Sequence, residues 1–323
     1  MKYIGLQKQI NRNNRKSILL LLAFPSLILL AVFAFTTYAT AHREYGIQWE
    51  ASTQMFLETI PFVLIGVAIW FAIAYFANAK MINLAAGSKT LERRDNMRVY
   101  NLTENLCMSV GMPMPKLRVI NSPALNAFAS GLKEENYTVT LTTGIIETLD
   151  DEELEGVIAH ELMHIRNKDV RLLVISIIFV GIFSFLAQIA FRSFLYGGMG
   201  SRSRRRDDKG GGGGAIIVIM IIVFVAYLLS IVFKLALSRK REYLADSGAA
   251  EMTRKPWALA SALRKISGNS TIESIKNEDV KEMFIDNTPS KNAQNSGGFM
   301  ASINNLFSTH PPIEKRIEFL EQL

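Results

Sequence analysis

Apolar residues in this chain occur in two patterns, long uninterrupted runs and helical stripes, and the two alternate along the sequence. Residues 17–41 and 59–79 carry no charge. At about 1.5 Å of rise per residue each run can cross a bilayer, and the first is too long for the apolar region of a cleavable signal. Residues 172–191 and 210–233, the latter apolar from Ala215, form a second charge-free pair. Between and after the pairs the period shortens to that of soluble helices. Val99, Leu102, Leu106 and Val110 form one stripe in a helix expected over 91–110, closed by Gly111 and the Pro113-Met114-Pro115 breaker. Leu154, Val157, Ile158, Leu162 and Ile165 form another, after an N-cap at Asp150 with Glu153 three residues on. Short β-type runs at 117–120, 127–130 and 137–142, with a hairpin turn at 131–136, put a small sheet before that helix. Further helices are expected around 238–246, at 256–266 with Pro256 in the first turn, and at the end, where Ile313, Ile317 and Leu320 align.

The expected architecture is a mainly α integral membrane protein: four hydrophobic helices and a soluble α+β domain with a small β-sheet. It divides into a basic tail (1–16), a first membrane pair (17–80), a first part of the soluble domain (81–169), a second hydrophobic hairpin (170–238) and a second soluble part (239–323).

Charge fixes the direction of threading. The chain has 36 Lys and Arg against 29 Asp and Glu, a net charge of +7, but its basic residues gather beside the apolar runs and form no nucleic-acid stripe. Lys2, Lys8, Arg12, Arg15 and Lys16 precede the first run, and Lys80, Lys89, Arg93, Arg94 and Arg98 follow the second. Both groups belong in the cytoplasm, with the acidic loop of Glu44, Glu50 and Glu58 on the far side. Residues 192–214 form a Gly, Ser and Arg rich linker in which two rules conflict. Spanning by the second hairpin exports Arg202, Arg204, Arg205, Arg206 and Lys209, whereas a re-entrant hairpin keeps them inside. The single cysteine, Cys107, allows no intrachain disulfide and no Cys-rich zinc site, in keeping with a reducing compartment.

The chemistry is concentrated in His160-Glu161-Leu162-Met163-His164. Histidines four apart share a helix face and can both ligate one Zn²⁺ ion, and the intervening Glu161 is placed as general base for a water that the metal acidifies. A third protein ligand is required. Glu242 is the best choice, because the apolar hairpin occupies most of the chain between it and His164 and reads as an insertion into one site. Asp246, four residues on, is placed to orient a zinc histidine, His160. His310 competes as a ligand, but its Pro311-Pro312 neighbours suit it better to steadying an oxyanion. Arg239 to Arg241 read as a solvated charge run.

These motifs, with Asn126-Ala127-Phe128-Ala129-Ser130-Gly131, Arg241-Glu242-Tyr243-Leu244-Ala245-Asp246 and Thr309-His310-Pro311-Pro312 followed by Arg316, resemble the HtpX family of membrane zinc metalloproteases, related to the CAAX prenyl proteases. The resemblance implies a multi-pass endopeptidase of gluzincin type in the bacterial cytoplasmic membrane. It implies one Zn²⁺ per chain, an active site facing the cytosol, and substrates among damaged or misassembled membrane proteins. It also implies that Asn126, Ala127, Phe128 and Ala129 form a substrate-binding edge strand, with Arg316 among the substrate-binding residues. The Gly-Arg linker departs from the family pattern. The competing expectations are a CAAX-type protease, whose family has more spans, and an inactive membrane scaffold.

Overall fold

The computed structural model describes residues 6–41, 46–175, 239–267, 269–272, 275, 283–285 and 311–323, with isolated positions at 178, 188, 192, 224 and 227. It divides into two compact units, one of residues 16–75 and 175–233, the other of residues 1–15, 76–174 and 234–323.

Helices α1 (Leu6–Thr40) and α2 (Trp49–Ala85), most of whose residues belong to the first unit, contain stretches long and apolar enough to cross a membrane. They pair through a small polar seam, where Thr40 Oγ1 meets Ser52 Oγ at 2.6 Å, and through an edge-to-face contact of Phe33 with Phe56. Large apolar side chains elsewhere on both helices are exposed, among them Leu22, Leu30, Phe62 and Ile69. An apolar surface of this kind fits lipid better than water. Helix α2 outruns its expected 59–79 at both ends, because the polar residues flanking the apolar run are also good helix formers. The third and fourth apolar runs lie almost wholly outside the described residues.

The second unit holds a four-stranded sheet and the soluble helices. The strands are β1 (Lys89–Thr90), β2 (Lys116–Ile120), β3 (Ala127–Ser130) and β4 (Thr138–Thr142), in the order β1-β2-β4-β3. The β2–β4 pair is parallel and the other two are antiparallel. Between β1 and β2 lies α3 (Met97–Val110), shorter than the expected 91–110. Leu91 N–H still bonds Leu117 C=O as an extension of β1, and Asn96, in extended backbone, caps the helix by accepting from Val99 N–H. Gly111 ends it in the left-handed conformation that a glycine adopts without strain. After β4 come α4 (Thr143–Thr148) and the central α5 (Asp151–Arg166). The capping box between Asp150 and Glu153 is present with both of its hydrogen bonds.

Helix α5 is buried nearly throughout and packs against α3, β3, α6 (Arg239–Thr253) and α7 (Pro256–Ile266); α8 (Ile313–Leu320) closes over α6 and α7. At the α5–α6 contact, a Cβ on Gly248 would meet the flexible end of the Met163 side chain at 2.3 Å, so a larger residue there would force Met163 to move. That contact brings the carboxylates of α6 under the histidines of α5.

Candidate metal centre

His160 and His164 lie one turn apart on α5, with their Nε2 atoms 3.1 Å from each other. Glu242 reaches both from the first turn of α6: Oε2 is 3.6 Å from His160 Nε2 and Oε1 is 3.5 Å from His164 Nε2. Ligand atoms about 2.0–2.1 Å from one tetrahedral ion stand about 3.3 Å apart, so this donor set fits a metal of that kind. Among the described residues, these three form the cluster able to hold a metal ion, with all ligand atoms within 4.8 Å of one another.

Each histidine has a carboxylate behind it. Asp246 Oδ1 accepts from His160 Nδ1 at 2.9 Å, and Asp169 Oδ2 lies 3.2 Å from His164 Nδ1. Such bonds orient the two rings so that both Nε2 atoms face the Glu242 carboxylate. Burial and the Arg316 charge push the His160 imidazole down, but hydrogen bonds to Asp246 and Glu242 prevail and raise it to about 9. Burial raises Asp246, yet Arg316 and His160 together hold it below the usual carboxylate range. Glu161 is 2 % exposed and lines the same small cavity as His164 and Glu242. Burial raises its carboxyl above the usual range against the pull of the two histidines.

Several expected residues are placed differently from the sequence reading. Arg316 is 1 % exposed and lies behind the metal ligands, donating through Nε and Nη2 to both Asp246 oxygens at 2.9 and 2.7 Å. Its Nη1 is also 3.5 Å from Glu242 Oε2. There its charge offsets two buried carboxylates. Arg241 is likewise no solvated residue: it is buried, lines the cavity, and its Nη1 lies 3.4 Å from Asp169 C=O. His310 lies outside the described residues. Asp169 was not anticipated. It follows a turn through Lys168, whose φ of 58° is left-handed; that turn carries Asp169 back to α5, and only the positive φ signals it.

The edge strand β3 is largely closed. Thr142 N–H bonds Asn126 C=O, so Asn126 and Phe128 turn their main-chain groups toward β4, while Ala127 and Ala129 turn theirs outward. Ala127 is already satisfied on that side. Its N–H donates to Asn126 Oδ1 at 2.9 Å and its C=O accepts from Ile285 N–H at 2.8 Å. Asn126 is itself fixed, donating from Nδ2 to Ser270 C=O at 2.7 Å. Of the four strand residues expected to bind substrate, Ala129 alone both points outward and lines the cavity beside His164 and Glu242.

A buried two-histidine, one-glutamate centre with a glutamate between the histidines defines a metallopeptidase. The chain belongs to peptidase family M48, whose profile matches residues 93–323. It is 52% identical to a "Protease HtpX homolog" of Bacteroides fragilis over the full length of both chains. It is 35% identical to a protein of the same description from Lactobacillus helveticus, over 98% of this chain and all of that one. Among solved structures it is similar to S. mikatae Ste24p, at 20% identity and a TM-score of 0.49, covering 98% of this chain and 67% of the other.

Proposed function

We propose that the chain is a zinc-dependent endopeptidase of the bacterial cytoplasmic membrane, cleaving polypeptides, membrane proteins among them, on the cytosolic side. The observation that carries this reading is the convergence of His160, His164 and Glu242, from the two sides of the second apolar pair, around one position flanked by Glu161. His160, His164 and Glu242 would hold the ion. Zn²⁺, when bound, supplies Lewis acidity toward a water and a carbonyl oxygen.

Glu161 takes the proton of the attacking water and delivers it to the leaving amine. Asp246 and Asp169 keep the two imidazoles from rotating. The outward N–H and C=O of Ala129 are placed to pair with the substrate main chain, a mode of binding that leaves sequence choice to side-chain subsites. From its sequence context, His310 is assigned to the developing oxyanion. Two threading signals support a cytosolic site: the basic groups flanking the first apolar pair and the even number of crossings that pair contributes. A role in clearing damaged membrane proteins agrees with an active domain tethered at the bilayer.

The test is cleavage of casein and of a detergent-solubilised membrane protein by the purified full chain, with zinc removed and restored, beside Glu161→Gln. Zinc-restored cleavage that is absent in Glu161→Gln is the expected result. Metal-independent cleavage, or activity retained by the variant, would exclude the assignment.

A further inference from the structure

The residues that close the β3 edge also narrow the metal cavity. Phe284 packs edge-to-face on Phe128 at 5.1 Å between centroids, and Ile285 N–H bonds Ala127 C=O. Ile285 C=O accepts from Arg316 Nη1 at 3.1 Å. Main-chain bonds on both sides of Ile285 and a buried ring fix this segment, and Met283 just before it lines the cavity with Ala129, Val170 and Leu173 around Glu161 and His164. The cavity has a volume of about 40 Å³. At the roughly 10–15 Å³ of such volume that one water needs, it holds a few waters at most. A polypeptide paired at Ala129 has no room there for a large side chain.

We propose that Met283 is a specificity-determining residue: its side chain, held by the Phe284–Ile285 clip, limits the substrate residue beside the scissile bond to a small one, Gly, Ala or Ser. The proposal rests on the endopeptidase reading. An unbranched, polarizable methionine forms an apolar wall, and shortening it enlarges the subsite without touching the metal ligands or Glu161. A methylene of subsite space discriminates side chains by roughly 10- to 200-fold.

The experiment compares zinc-loaded, full-length wild type with Met283→Ala and with the milder Met283→Val. Cleavage sites in denatured casein are mapped by mass spectrometry, with zinc content and thermal midpoint measured on the same samples. Wild type is expected to cut beside small residues. Met283→Ala should raise the ratio of sites flanked by Leu, Met or Phe to sites flanked by Gly, Ala or Ser by about tenfold or more. If Met283→Ala does not fold, Met283→Val, with the smaller cavity change, decides on the same ratio. A wild type that already cuts beside large residues overturns the proposal. So does an unchanged ratio in a zinc-loaded, active variant. Absence of any zinc-dependent cleavage by wild type would instead bring down the endopeptidase reading, so the two failures are distinguishable.

Discussion

Nδ1 of His160 stands 2.9 Å from Oδ1 of Asp246, and the same carboxylate is gripped by Arg316 through both of its oxygens. All three side chains are at most 1 % exposed. The ion pair is therefore useful only while it is complete, since removing one partner strands the other charge in the core. Arg316→Met should destabilise the protein by about 3–5 kcal/mol and lower zinc affinity, since Asp246 then lacks its cation. Asp246→Asn should cost zinc affinity about 10- to 100-fold. Thermal unfolding and zinc titration of the two variants check this. A surface-like response to Arg316→Met, within about 0.5 kcal/mol of wild type, would contradict the buried role.

Glu161 and Glu242 predict opposite phenotypes. Glu161→Gln removes the base and no ligand, so hydrolysis is lost while zinc stays stoichiometric. Glu242→Ala removes one of three donors, so zinc occupancy falls and activity falls with it. Metal analysis of the purified variants separates the roles, and stoichiometric zinc in Glu242→Ala would pass the ligand role to another residue such as His310.

The grouping of His160, His164 and Glu242 was legible because it is written in local periodicities. Two histidines four apart, and Glu242 with Asp246 four apart, each declare a helix face. Joining them required only that the intervening apolar runs form an insertion. Asp169 was hidden because nothing in an Asn-Lys-Asp stretch announces a left-handed turn at Lys168. Arg241 was misread as solvated because arginine is usually exposed, and its contact with the Asp169 C=O joins residues far apart in the chain. The Ile285 bond to Ala127 joins segments far apart in the chain, so an edge that looks open in sequence is mostly occupied in the fold. Strand β1 was missed because two residues carry no alternation to read.

Glu153 predicts a pH dependence of stability. Burial acts to raise its carboxyl, but bonds from Lys265, Ser261 and the Asp150 N–H outweigh burial and lower it. A carboxylate lowered on folding contributes stability that is present above its unfolded value, about 4.3, and that is lost as pH falls through the folded value. Glu153→Gln should therefore be less stable at pH 7, by about 1–3 kcal/mol for buried charge-assisted bonds, and should lose less stability than wild type as pH falls below about 4.3. Thermal midpoints of both metal-free proteins from pH 7 to pH 3 measure it. Parallel curves would mean that Glu153 titrates alike folded and unfolded.

Topology is constrained by the site itself. His164 and Glu242 are 3.5 Å apart, so the chain between them, with its two apolar runs, must begin and end in one compartment. It crosses the membrane twice or not at all, and a single crossing is excluded. Thiol labelling distinguishes the two cases. Cys107 is buried and its thiol is pushed up to about 11 by that burial, so it carries little thiolate at neutral pH. A cysteine at Ser203, which lies outside the described residues, should react with an impermeant reagent on intact cells if the hairpin spans and stay silent if it is re-entrant. Glu251 is exposed in the last turn of α6, the helix that carries Glu242, so a cysteine there reports the side on which the site lies. With the basic amino-terminal segment in the cytoplasm and two spans before the soluble domain, Glu251→Cys should be unlabelled in intact cells and labelled once they are lysed. Labelling in intact cells would place the metal centre outside and overturn the cytosolic assignment, whichever way Ser203→Cys responds.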